Sequence, residues 1–115
     1  MVESEPARLD AVFHALADPT RRAMLRSLAV ERCSVGALAA PHRMSLAAAS
    51  KHVKVLERAR LVRRQVTGRT HVCSLAPEAL ADADAWLAFY RRFWGGRFDA
   101  LESLLTAEAA KGDPR

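Results

Sequence analysis

The sequence predicts a mainly α-helical fold with one small β-hairpin. Three observations predict it. Apolar residues recur at helical spacing over most of the 115 residues. The period changes to alternation between Leu61 and Leu75. Residues suited to starting a helix stand just ahead of several of the periodic segments. A chain of this length holds one domain, taken as residues 1–115.

The polar ends, residues 1–8 and 110–115, are expected to be flexible. Leu9, Val12, Phe13 and Leu16 then mark a first helix. Asp18-Pro19-Thr20 starts a second one, with Asp18 as the cap and Pro19 in the first helical position. That helix turns Ala23, Met24, Leu25 and Leu28 inward and leaves Arg21, Arg22 and Arg26 outside. Ser34 caps a short helix with Val35, Leu38 and Ala39 inward, and Pro41-His42-Arg43-Met44 interrupts it. Ser45 caps a longer helix, from Leu46 to about Ala59, whose inward stripe is Leu46, Ala49, Val53 and Leu56. Two short strands follow, Leu61–Val66 and His71–Leu75, joined by Thr67-Gly68-Arg69-Thr70. A last helix extends over about 80–109. Gly95-Gly96 lies in its middle, at roughly 1 kcal/mol per glycine relative to alanine.

A short helix, a tight turn and a longer amphipathic helix make a helix-turn-helix, here residues 34–60. The hairpin at 61–75 is a wing beside it. Charge is distributed unevenly over this frame. Residues 1–75 carry 13 Lys/Arg against 6 Asp/Glu, whereas residues 76–115 carry 5 against 7. The outward stripe of the longer helix combines small residues (Ala47, Ala48, Ser50), which permit close approach, with donors (Lys51, Lys54, Arg58) for phosphates and base edges. His52 flanks the inward stripe, as a phosphate donor or a brace for the helix. On the wing, Arg63, Arg64 and Arg69 are placed to follow a nucleic-acid backbone or an adjacent minor groove. The aromatic residues lie apart from this basic surface, which points to duplex DNA and away from RNA.

Phe13–Leu28 (FHALADPTRRAMLRSL) resembles the second-helix signature of ArsR-type (ArsR/SmtB) winged helix-turn-helix repressors, and Ser34–Leu75 resembles that family's helix-turn-helix and wing. Asp18–Arg22, Ser50–Leu56 and Gly68-Arg69 are its most specific pieces. The resemblance spans roughly residues 9–105. It implies a dimeric bacterial repressor on an inverted-repeat operator, with Ser50, Lys51, His52 and Lys54 contacting or supporting DNA. Two positions depart from the family pattern. Arg60 stands where a glycine is usual, at the end of the recognition helix, where a left-handed residue is expected. Ala49 and Val53 stand where larger apolar residues are usual.

Metal sensing in that family takes paired cysteines near the third helix, or His and Asp/Glu ligands on the last helix. Here Cys33–Leu38 holds one cysteine. Asp82, Asp84 and Glu102 are present, but no histidine follows His71. No metal site and no cofactor are therefore expected, and the inducer is left open. A Cys33–Cys73 disulfide requires Cα atoms within about 7 Å. With one cysteine after the second helix and the other in the wing's return strand, two unpaired, partly buried thiols are expected. With no apolar leader or spanning run, the protein is expected in the cytoplasm, with reduced thiols and no membrane partner.

Six of the chain's seven aromatic residues lie between Trp86 and Phe98. A monomer this small cannot bury them all, so they mark a partner surface. Leu9 and Phe13 with Trp86, Tyr90, Phe93, Trp94, Arg97 and Leu101 are the expected homodimer contacts, with helix 80–109 pairing alongside 9–16. No nucleophile–base spacing, acidic dyad or phosphate loop supports an enzyme. The alternative class is a protein-interaction or small-ligand-sensing module that uses the aromatic helix.

Overall fold

The computed structural model describes residues 5–112, with side chains described for 6–94 and 104–107. Helices α1 (Glu5–Leu16) and α2 (Pro19–Val30) lead into a short strand β1 (Cys33–Ser34). Helix α3 (Val35–Ala39), a 3-10 turn (Ala40–His42) and α4 (Leu46–Arg58) follow. Strands β2 (Val62–Thr67) and β3 (Thr70–Leu75) precede the long helix α5 (Glu78–Gly112). The chain divides into two units, one reaching to Ala83 and one starting at Asp84.

Each helix start in the first unit has a local cause. Asp18 Oδ2 accepts from the Arg21 backbone N–H at 2.9 Å, and Pro19 lacks the N–H that would have no partner in the first turn. Ser34 Oγ accepts from the Ala37 N–H and Ser45 Oγ from the Ala48 N–H, both at 3.1 Å. All three caps stand where the sequence places them. The first helix begins earlier than its polar composition suggested: Glu5–Arg8 are helical, with Pro6 in the first turn, where no backbone donor is required. Likewise α5 runs past residue 110 to Gly112 and begins at Glu78, directly after Pro77, with an acidic residue in its first turn. Residues 1–4 and 113–115 lie outside the described residues.

The expected two-stranded hairpin is present as β2–β3, and β1 adds a third strand to make an antiparallel sheet in the order β1-β3-β2. The extra strand is two residues long, too short to show any period in the sequence. The hairpin pairs Val62 with Leu75 and Thr67 with Thr70, and Gly68 takes φ +63° in the turn. Of β2 only Val62 is buried, so the hairpin leaves the core at its base.

The core draws Val12 and Ala15 from α1, Met24 and Leu28 from α2, Leu38 from α3, and Ala49, Val53 and Leu56 from α4. Leu25, Val35, Ala39 and Ala59 of the same helical segments join them, with Leu61 just ahead of β2, Val62 and Cys73 from the sheet, and Ala79 and Ala83 from the start of α5. Leu46 was expected in this set, but it is 62% exposed. As the first residue of α4 it lies ahead of the turn that packs. Among the described residues no polar side chain is buried.

A Schellman motif ends α4. The Arg60 N–H donates to the Glu57 carbonyl and the Leu61 N–H to the Leu56 carbonyl, both at 2.9 Å. Arg60 sits at φ 61°, the left-handed conformation that the departure from glycine had pointed to, and fully buried Leu61 follows it inward. Arg43, which ends the 3-10 turn, is also left-handed at φ 51°. A side chain at such a position costs on the order of 1 kcal/mol relative to glycine. Arg60→Gly is therefore expected to raise unfolding stability by about 0.5–1 kcal/mol, and a urea midpoint shifted upward without a change in slope checks it.

Candidate nucleic-acid interface

The interface is built on α4, whose rotation about its own axis is fixed by three residues. Ala49, Val53 and Leu56 are fully buried, and Ala47, Lys51, Lys54 and Arg58 on the opposite side are exposed. Ala48, Ser50 and His52 are half-buried on the flanks. Of the outward stripe read from the sequence, Ala47, Lys51, Lys54 and Arg58 are thus exposed, whereas Ala48 and Ser50 lie half-buried at its edge.

The α1–α2 corner braces one flank. The end of α1 leaves carbonyls without helical partners, and the two arginines of α2's first turn reach back to them. Arg21 Nε donates to the Ala15 carbonyl at 2.8 Å and its Nη2 to the His14 carbonyl at 3.0 Å. Arg22 Nη1 donates to the Leu16 carbonyl at 2.7 Å. Arg21 Nη1 also lies 3.2 Å from His52 Nδ1. A guanidinium only donates, so Nδ1 accepts and the ring proton sits on Nε2. Asp18 Oδ2 lies 3.9 Å from the same Nδ1. Asp18-Pro19-Thr20-Arg21-Arg22 therefore caps one helix at its start, closes another at its end and holds the flank of α4. The sequence reading left Arg21 and Arg22 on the outer side of α2. It missed them because their partners are backbone carbonyls, which no side-chain pattern reveals. For His52, the bracing role is the one this geometry supports.

The wing arginines divide three ways. Arg64 Nε and Nη2 both donate to Glu57 Oε1, at 3.0 and 2.6 Å, and Nη1 lies 3.3 Å from His71 Nδ1. With its side chain only 14% exposed, Arg64 is a strut between wing and recognition helix and not the free backbone contact expected. Arg63 alternates to the other face of β2. There it pairs with Glu78 at 2.6 Å and lines a cleft of about 530 Å³ with Arg8, Arg58, Arg60 and Asp82. Both partners of that pair are well exposed, so water screens it and it adds little to stability. Arg69 is exposed in the turn, as expected. It lines a groove of about 410 Å³ with Ser50, Arg64, Thr70, His71 and Leu46. This groove lies between the start of α4 and the wing. Glu57 and His71 are the residues that sequence reasoning missed here.

Among the expected dimer contacts, Leu9 and Phe13 are half-buried on α1. In the second unit Trp86, Phe89, Tyr90, Phe93 and Trp94 are exposed. The Trp86 and Tyr90 rings meet at a tilt of 44° with centroids 4.7 Å apart, and Phe89 meets Tyr90 edge-on at 4.9 Å. The Arg92 guanidinium sits 4.3 Å over the Phe89 ring. The side chains of Arg97 and Leu101 lie outside the described residues. Among the described residues there is no group of three or more His, Cys, Asp or Glu able to hold a metal ion, and no helix long and apolar enough to cross a membrane.

A helix presenting small residues and cations, supported by a preceding short helix and flanked by a basic hairpin, can enter a major groove while the hairpin follows the backbone beside it. These features define a winged helix-turn-helix DNA-binding protein. Residues 16–65 match the helix-turn-helix domain family. The chain is 38% identical over 99 residues to the HTH-type transcriptional regulator Rv2034 of Mycobacterium tuberculosis, covering 86% of this chain and 90% of that protein. It is similar to the crystal structure of the ArsR family transcriptional regulator RHA00566, with TM-score 0.73 and 37% identity over 83% of this chain and 97% of that one. It is also similar to the homodimeric winged helix-turn-helix DNA-binding domain of Mb0332 from Mycobacterium bovis, a possible ArsR-family regulator. That match has TM-score 0.57 and 26% identity, over 77% of this chain and 82% of that one. The chain belongs to the ArsR-type winged helix-turn-helix transcriptional regulators.

The Asp18 carboxyl is held below its ordinary value of 3.8, first by the Arg21 backbone N–H and then by the charge of the Arg21 side chain, with partial burial opposing them. A depressed carboxylate contributes stability above that value and loses it as pH falls through the lowered one. Asp18→Ala is expected to cost about 0.5–2 kcal/mol at neutral pH. Its deficit against the unmutated protein should shrink as pH falls below 3.8, which unfolding midpoints measured across that range check.

Proposed function

We infer that this regulator represses transcription by binding an inverted-repeat operator as a homodimer in the cytoplasm. The observation that carries the reading is the outer face of α4. Ala47 leaves room for a base edge, and Lys51 and Lys54 stand exposed beside half-buried Ala48 and Ser50. Lys51 is assigned to base edges, with Ser50 supporting it. Lys54, Arg58 and Arg69 are assigned to phosphates. His52 and Arg64 hold the helix and the wing in position. Arg63 is assigned to the base of the wing and not to DNA.

Dimerisation is supported by the aromatic face of residues 86–94, which a lone chain leaves in water, and by the homodimeric state of the Mb0332 domain. Two-fold symmetry would set two recognition helices about 34 Å apart, one turn of DNA, and so require a palindromic site. Leu9, Phe13, Trp86, Tyr90, Phe93, Trp94, Arg97 and Leu101 are the proposed contacts.

Selection of bound host-genome fragments followed by footprinting tests the operator. Half-sites centred one helical turn apart are expected; a single unpaired half-site contradicts the dimer reading. Affinity should fall steeply with salt as phosphate contacts release counterions. Lys51→Ala should reduce preference for the selected site over mixed sequence by roughly 1–3 kcal/mol, while Arg69→Ala weakens both alike. Tyr90→Glu should sediment as a monomer with poor DNA affinity. A stable dimer from that variant removes Tyr90 from the interface.

A further inference from the structure

The chain's two cysteines, Cys33 and Cys73, face each other across the sheet. Strand β1 pairs with β3 so that Cys33 is the Cα partner of Cys73 and Ser34 that of Val72. Directly opposed residues of an antiparallel pair lie about 4.5–5.5 Å apart at Cα, with side chains on one face. A disulfide spans about 4.4–6.8 Å. Both sulfurs are free thiols, Cys33 half-buried and Cys73 fully buried. The expectation of two unpaired thiols rested on their placement, one after the second helix and one in the wing's return strand, 40 positions apart. The short strand that closes that distance could not be read from the sequence.

We propose that Cys33 and Cys73 form a reversible intramolecular disulfide when the protein meets a peroxide, clamping the helix-turn-helix to its wing. The half-buried Cys33 thiolate attacks the peroxide oxygen, giving Cys33 sulfenic acid and hydroxide. The Cys73 sulfur then displaces the sulfenic oxygen, the S–S bond forms and water leaves. The two thiols lose two electrons and the peroxide gains them. Burial pushes the Cys73 thiol up, while the charge of Arg64, its β2 partner, opposes that rise. Cys73 is accordingly the resolving sulfur and Cys33 the entry point.

The closed loop encloses α3, α4 and β2. Its first residue adjoins Ser34, the cap of α3. The strands are already in register, so the bond restrains the unfolded chain and leaves the folded frame in place. Oxidation therefore stabilises the DNA-competent form and does not release it. The cross-link stands apart from the nucleic-acid reading; its effect on affinity rests on that reading.

The test treats the full reduced chain with hydrogen peroxide, then alkylates it with N-ethylmaleimide under denaturing conditions. Intact mass should show the loss of two hydrogens and no alkylation, in a monomeric species reversed by dithiothreitol. The thermal midpoint should rise by roughly 5–15 °C. Affinity for a labelled mixed-sequence DNA duplex at low salt should equal or exceed that of the reduced protein. Cys33→Ser, at the half-buried position, and Cys73→Ala, which places no hydroxyl in the core, should each abolish the mass change and the shift. Two alkylated thiols, stable sulfenic or higher oxidation, or a disulfide between two chains overturns the pair. An unchanged midpoint or weakened DNA binding on full closure overturns the clamp. If the reduced protein fails to bind duplex at all, that counts against the DNA interface, and the mass and melting results still decide the pair.

Discussion

Complete burial of one stripe of α4 is the constraint on which the other features of this fold depend. Ala49, Val53 and Leu56 have no exposed surface. Rotating the helix by one residue, about 100°, would bring that stripe toward water and turn the cationic face toward the core. Exposing Val53 and Leu56 alone forfeits roughly 1.5–3 kcal/mol each, and an unpaired buried ammonium costs several times more. The same packing that stabilises the domain therefore aims Lys51 and Lys54 outward. The small side chains at 49 and 53 let α4 lie close to its neighbours.

Polar contacts then hold what packing has aimed. At one flank Arg21 links the last carbonyls of α1 to His52, and so ties the α1–α2 corner to the recognition helix. Further along α4, Glu57 holds Arg64 and so ties the wing to the helix. Arg64 is largely shielded from water, and there a charge-assisted hydrogen bond outweighs the exposed Arg63–Glu78 pair. Of three arginines in one hairpin, two are committed to carboxylates. Arg69 is the one the turn holds out toward solvent. A basic count alone overstates the charge such a surface offers to a phosphate backbone.

Much of this was legible from sequence because its causes are local. Asp18, Ser34 and Ser45 each accept from a backbone N–H three residues on, a contact within a single turn. The left-handed Arg60 was foreseen from the place of a missing glycine at a helix end, whereas Arg43, equally left-handed, was not. The roles of Arg21, Arg64 and Leu46 were misjudged. Periodicity assigns a residue to a face but does not report whether a neighbouring element covers that face.

By itself the sequence determined the helix-turn-helix, the wing, the caps and the outward cationic stripe, since each follows from spacing within a few residues. Only the tertiary structure decided which arginines remain available and what braces the recognition helix. It also placed Cys33 opposite Cys73, through a strand of two residues. Those outcomes depend on contacts between segments tens of residues apart. Their partners are backbone carbonyls, opposite-strand neighbours and acids on other elements, and the chain brings these together only when the apolar stripes pack.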